Sequence, residues 1–174
     1  MNYGNIKTYD IANGPGVRVS LFVSGCRLHC KNCFNKDAQD FNYGKPLTEE
    51  VVEFLIQEIK KPEIQGLTIL GGEPFEPENQ STIAYLLARI QNAVQDPHKT
   101  YWIYSGYTLE TLPDTSDLHF ILKRIDVLVD GPFVEELKNP MLAFRGSSNQ
   151  RIINMRKYIE TGKIVTYIDE NFRN

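Results

Sequence analysis

Cysteine is scarce in this sequence: three of 174 residues, none outside positions 26–33. An odd number of thiols, so close together, argues against a disulfide framework. Long apolar runs are missing too. No stretch approaches the ~18 consecutive apolar residues of a membrane-spanning helix, and the start, Met1-Asn2-Tyr3-Gly4-Asn5, lacks the apolar core of a secretory signal. Basic residues are not in excess: 19 Lys and Arg stand against 22 Asp and Glu, a net charge of −3, so nothing points to nucleic acid or an anionic membrane surface. Repeats of fixed period and low-complexity linkers are likewise lacking, and the chain reads as a single domain over 1–174. These shortages lead to the expectation of a soluble, cytoplasmic protein whose thiols stay reduced and available as ligands.

What is present is an ordinary core, at 41% apolar and 24% charged residues. Asn13-Gly14-Pro15-Gly16 is a turn by composition. Val17, Val19, Leu21 and Val23 then alternate with Arg18, Ser20 and Phe22, the period of a strand. Short apolar runs at Leu67–Leu70, Tyr101–Tyr104 and Val127–Val129 read as three more strands. Between them lie helical patterns: one opening at Thr48 with Val51, Val52, Leu55, Ile56 and Ile59, one through Ile83, Leu86, Leu87, Ile90 and Val94, and a weaker one through Leu118, Ile121, Leu122 and Ile125. The segment 34–43 reads as irregular with a short helical turn. After Pro132 the pattern loosens into a polar loop at Phe144–Arg151, an edge strand around Ile152–Asn154 and a charged tail. Strands alternating with amphipathic helices give an α/β fold with a mainly parallel sheet. Four units are too few for a closed eight-stranded barrel, so an open partial (βα) barrel is expected. In parallel architectures ligands sit at the carboxyl ends of the strands, and the four loops there should converge on one site.

The first of those loops is Cys26-Arg27-Leu28-His29-Cys30-Lys31-Asn32-Cys33. Three thiolates leave one coordination position open, the mark of a reactive metal site more than of a structural one. An iron–sulfur cluster needs one thiolate per iron, so three would leave one iron exposed. A zinc site would need a water or a fourth ligand, with His29 in the loop and His98 or His119 from a distance. Inert buried thiols are the third possibility. The second loop, Gly71-Gly72-Glu73-Pro74, is by itself an ordinary tight turn. Its glycines also allow a close backbone approach to a ligand.

Taken together, Cys26-x-x-x-Cys30-x-x-Cys33 after one strand and Gly71-Gly72-Glu73-Pro74 after the next resemble the radical S-adenosylmethionine superfamily. Asp10-Ile11-x-Asn13-Gly14-Pro15-Gly16-x-Arg18, Leu21–Cys26, Tyr104–Tyr107, Val127–Gly131 and Arg145-Gly146-Ser147-Ser148-Asn149-Gln150 are similar to the anaerobic ribonucleoside-triphosphate reductase-activating proteins. The resemblance spans about Asp10 to Arg151.

The resemblance implies a [4Fe-4S] cluster held by Cys26, Cys30 and Cys33. Its fourth iron would be chelated by the amino and carboxylate groups of S-adenosylmethionine. It also implies an oxidoreductase: an electron from the cluster cleaves the cofactor to methionine and a 5′-deoxyadenosyl radical, which takes hydrogen from a glycine of the anaerobic reductase. A flavodoxin- or ferredoxin-type donor would supply the electron. Gly71, Gly72 and Glu73 are expected near the methionine amino group, Asn32 and Phe34 against the cofactor beside Cys33, and Ser105 and Asp130 at strand ends where they order methionine or ribose groups. For Ser105 and Asp130 a turn or capping role weighs equally. Many superfamily members carry an aromatic residue where this chain has Asn32. Arg145–Gln150 would close the site or meet the reductase. The rival readings are an activator of another glycyl-radical enzyme, such as pyruvate formate-lyase, and a non-catalytic zinc-binding adaptor.

Overall fold

The computed structural model describes residues 1–167. Its described strands form one sheet: β1 (Asn2–Asp10), β2 (Val17–Val23), β3 (Lys45–Pro46), β4 (Ile64–Gly71), β5 (Thr100–Tyr104), β6 (Val127–Asp130) and β7 (Arg151–Asn154), in the spatial order β3-β1-β2-β4-β5-β6-β7. The four central strands, β2, β4, β5 and β6, are mutually parallel, while β1, β3 and β7 pair antiparallel at the flanks. This is an α/β fold with a mixed sheet, parallel at its centre and not closed on itself.

Period two decides what each face does. Val19, Leu21, Val23, Leu67, Ile69, Ile103 and Leu128 point to one side and are completely buried. There they meet Val52, Leu55, Ile56 and Ile59 of helix α1 (Glu49–Ile59) and Ile83, Leu86, Leu87 and Ile90 of helix α2 (Pro77–Val94). Each such side chain contributes about 1.5–3 kcal/mol on burial. Helix α3 (Leu118–Leu122) adds Leu118, Ile121 and Leu122, and it stops before Ile125, which is buried nonetheless. Thr48 stands at the N-cap of α1, but its hydroxyl makes no capping bond and lies 3.3 Å from Glu50.

The opposite face is different at its lower end, where the parallel strands begin. Arg18 is fully buried there. Its Nε donates to Thr68 Oγ1 at 2.7 Å, one Nη to Thr100 Oγ1 at 2.8 Å, and the other to the Leu67 and Thr100 carbonyls at 3.0 and 2.8 Å. Thr68 in turn donates to the Asn13 carbonyl, tying the Asn13–Gly16 turn to β4. Burial in this setting pushes the guanidinium down to about 10. Trp102 lies beside it, edge-on to Phe144 and Tyr167.

The segment 34–43 holds one 3-10 turn, Lys36–Gln39. Beyond β7, where the sequence reads as a charged tail, the chain forms helix α4 (Met155–Thr161), whose Met155 is buried in the core and whose N-terminus is capped by the Asn154 side chain. The end of that tail, 168–174, lies outside the described residues. Among the described residues, no helix is long and apolar enough to cross a membrane.

Candidate metal centre

The site is built at the upper ends of β2, β4, β5 and β6. As β2 ends, Gly25 turns the chain at φ 94°, and the following loop is fastened at its base: Gly25 N–H donates to the Ala38 carbonyl at 2.8 Å and Cys26 N–H to the Gln39 carbonyl at 3.1 Å. The 3-10 turn thus closes the cysteine loop on itself. Within the loop the residues just before Cys30 and Cys33 adopt left-handed backbone, His29 at φ 48° and Asn32 at φ 56°. His and Asn are among the few non-glycine residues enriched in that conformation. Arg27 anchors the loop to the start of α2. Its backbone N–H and its guanidinium both reach the buried Glu76 carboxylate at 2.8 Å, Glu78 takes a second grip, and the guanidinium lies over the Phe41 ring.

The end of β4 packs directly beneath. Gly72 N–H donates to the Val23 carbonyl and Glu73 N–H to the Gly25 carbonyl, both at 2.7 Å. This close approach is why glycine is needed twice. A Cβ at Gly71, where φ is 117°, would lie 2.7 Å from the Val23 carbonyl oxygen, and one at Gly72 would lie 2.6 Å from that of Gly25. Glu73 is fully buried and bridges β4 to β5: one oxygen accepts from Phe75 N–H and Ser105 Oγ, the other from Gly106 N–H. Burial pushes its carboxyl up to about 7 against those three donors.

A cavity of about 140 Å³ opens between these loops, and Cys26, Cys30 and Cys33 all line it. Each thiol is free and half-buried. Burial, with Glu73 and Glu76 nearby, pushes the Cys26 thiol up to about 11. Phe34, Gly71, Gly72, Glu73 and Ser105 share that lining. Asn32 does not; it lines an adjoining cavity of about 420 Å³. Phe34, Leu70, Tyr104, Phe133 and Gln150 border both, so the two lie side by side. Asp130 lines neither. Its carboxylate is buried and accepts from Leu109 N–H at 2.7 Å and from the Arg151 guanidinium, Nε at 2.9 Å. Its neighbour Gly131 reaches the first cavity instead.

Several lining residues were not anticipated from sequence. Tyr104, grouped by its run with Tyr101 and Trp102 as strand packing, stands one full period above Trp102 and faces both cavities. That alternation was the available signal. Leu28, Gln39 and Phe133 carried none. Of the Arg145–Gln150 loop, Gln150 lines both cavities and Arg145 and Gly146 the larger; Gln150 Nε2 donates to the Gly131 carbonyl and its Oε1 accepts from Gly146 N–H. His29 is exposed with Nδ1 3.0 Å from Gln39, and His98 and His119 are exposed elsewhere.

The donor set discriminates between kinds of metal group. Among the described residues, no three His, Cys, Asp or Glu side chains converge on a single ion. The three thiols surround a cavity, and the one carboxylate that lines it is already engaged by three donors. The arrangement fits a group that presents a separate metal to each thiol, as an iron–sulfur cluster does.

Comparison with known proteins gives the same direction. The family described as a 4Fe-4S single cluster domain matches residues 12–153. The anaerobic ribonucleoside-triphosphate reductase-activating protein of Vibrio cholerae is 40% identical over 154 residues, covering 87% of this chain and 97% of that protein. The protein of the same name from Escherichia coli K12 is 40% identical over 158 residues, covering 90% of this chain and all of its own. That of enterobacteria phage T4 is 37% identical over 152 residues, covering 87% and 93%.

Proposed function

The chain belongs to the family of anaerobic ribonucleoside-triphosphate reductase-activating proteins, and from that premise we propose that it is a radical S-adenosylmethionine activase of an anaerobic ribonucleotide reductase. The observation that carries the reading is the cavity lined by three thiols and by no free carboxylate or imidazole among the described residues. Cys26, Cys30 and Cys33 would hold a [4Fe-4S] cluster, leaving its fourth iron for the amino and carboxylate groups of S-adenosylmethionine. When bound, these groups supply one-electron cleavage of the sulfonium to methionine and a 5′-deoxyadenosyl radical, which removes a hydrogen atom from a glycine of the reductase.

The protein's own part is placement. The Glu76 grip on Arg27 and the Ala38–Gln39 clamp fix where the first thiol stands. Gly71 and Gly72 bring the β4 end against that loop, and Phe34 and Ser105 line the same space. Glu73 acts by bracing Ser105 and Gly106, because its oxygens are taken. Asn32 lies on the side of the adjoining cavity, and Asp130 acts through the Leu109 backbone and the Arg151 guanidinium that it holds. On this reading the open sheet is the partial barrel of the radical-SAM type, 1–174 is one such domain, and it works in the cytoplasm with a flavodoxin- or ferredoxin-type donor.

Reconstitution without oxygen tests the proposal. It predicts a brown protein with about four irons per chain that releases methionine from S-adenosylmethionine when reduced. A colourless protein holding stoichiometric zinc and releasing none would overturn it.

A further inference from the structure

The three most exposed large apolar side chains among the described residues are Phe34 at 87%, Met141 at 84% and Ile11 at 75%. The next, Tyr9, is 58% exposed. They come from three separate loops, and each is in, or next in sequence to, the lining of the larger cavity. Phe34 lines it, Ile11 precedes the lining residue Ala12, and Met141 sits between Pro140 and Leu142, which also line it. Single exposed apolar residues need no explanation, but three around one opening mark a contact surface. We propose that this rim is where the protein substrate docks, through an extended chain segment that places apolar side chains on Ile11 and Met141 and feeds its glycine toward the thiols. The inference rests on the functional reading above, which makes the substrate a polypeptide.

Two features of the cavity name the chemistry of that segment. Among the residues that line the cavity, Lys138 and Arg145 are cationic and none is a carboxylate, within a chain of net charge −3. Arg145 Nε is buried with no hydrogen-bond partner, while its Nη1 is held by the Gln150 carbonyl. A donor fixed in that way is satisfied by an incoming carbonyl or carboxylate oxygen. Asn13, Asn32 and Asn139 add amides that can pair with the unpaired peptide groups of an extended chain. The rim therefore suits a neutral or acidic extended segment with apolar flanks, and the cavity behind it shares five lining residues with the thiol-lined space.

The experiment measures binding and activity separately. Ile11→Ser and Met141→Ser, alone and together, are compared with wild type and with Phe54→Ser, an equally apolar exposed residue on α1. The readouts are the dissociation constant for the cognate anaerobic reductase, and methionine release in the reductase's absence. The proposal expects each rim variant to weaken binding roughly tenfold and the pair to weaken it further. Phe54→Ser binds as wild type, and methionine release is unchanged throughout. Rim variants that bind as tightly as wild type, or a wild type that does not bind the reductase, would overturn it. A wild type that binds through the rim but releases no methionine would leave the docking surface standing and remove the activase reading.

Discussion

The face of the sheet turned away from α1 and α2 has two ends that solve opposite problems. At the lower end Arg18 is buried with four hydrogen bonds to hydroxyl and carbonyl oxygens, and Trp102 is covered by Phe144 and Tyr167. At the upper end, a few residues further along the same strands, Leu70 and Tyr104 line open cavities, and three thiols, none in a disulfide, line the smaller one. One end is packed around a guanidinium with four acceptors, although the buried Trp102 Nε1 has no hydrogen-bond partner. The other is left incomplete, and the incompleteness is held in place by the Glu76–Arg27 grip and the Ala38–Gln39 clamp. The packed end and the open, thiol-lined end are thus separated along the strands, so that changes at one end should spare the other.

Substitutions can break that separation or sharpen it. The largest effect is expected from Cys26→Ala, Cys30→Ala or Cys33→Ala: methionine release falls to background in each, while the melting temperature of the metal-free protein stays near wild type, as calorimetry would show. Leu87→Ala, in the packed layer between α2 and the sheet, is expected to cost about 2–5 kcal/mol in denaturant unfolding and leave the iron content of the folded fraction unaltered. Arg18→Met strands the oxygens that the guanidinium now satisfies, and a loss of about 3 kcal/mol is expected. If it instead abolished iron binding in protein shown to be folded, the two ends would not be independent. The smallest contrast is between helix caps. Asn154→Ala removes a real bond to Lys157 N–H and should cost about 1 kcal/mol, whereas Thr48→Ala, which loses no capping bond, should cost less than about 0.5 kcal/mol.

The same contrast explains what could be read from sequence. Period two and period 3.6 carried β2, β4, β5, β6, α1 and α2, because those elements bury continuous apolar faces. The thiol loop and the Gly-Gly turn were legible for the same local reason. β1 was not, since Asn2–Asp10 is mostly polar and half-exposed and sits near the sheet edge; β3, with two residues, carries no period. Nor did the charged residues beyond β7 betray α4. At the site, Glu73 and Asp130 have partners 32 and 21 residues away, and only the fold reveals that their oxygens are already engaged. Arg18 was visible as part of a motif, but its role as a bolt depends on Thr68 and Thr100, brought to it by strand pairing.

The reaction proposed for the open end is generation of a radical on a partner's backbone. It is tested most directly by electron paramagnetic resonance on the reconstituted protein mixed with anaerobic reductase, S-adenosylmethionine and reductant. A glycyl doublet that requires all of these components, and that disappears with Cys30→Ala, is the predicted result. Its absence with a reductase that a known activase does convert would contradict the account.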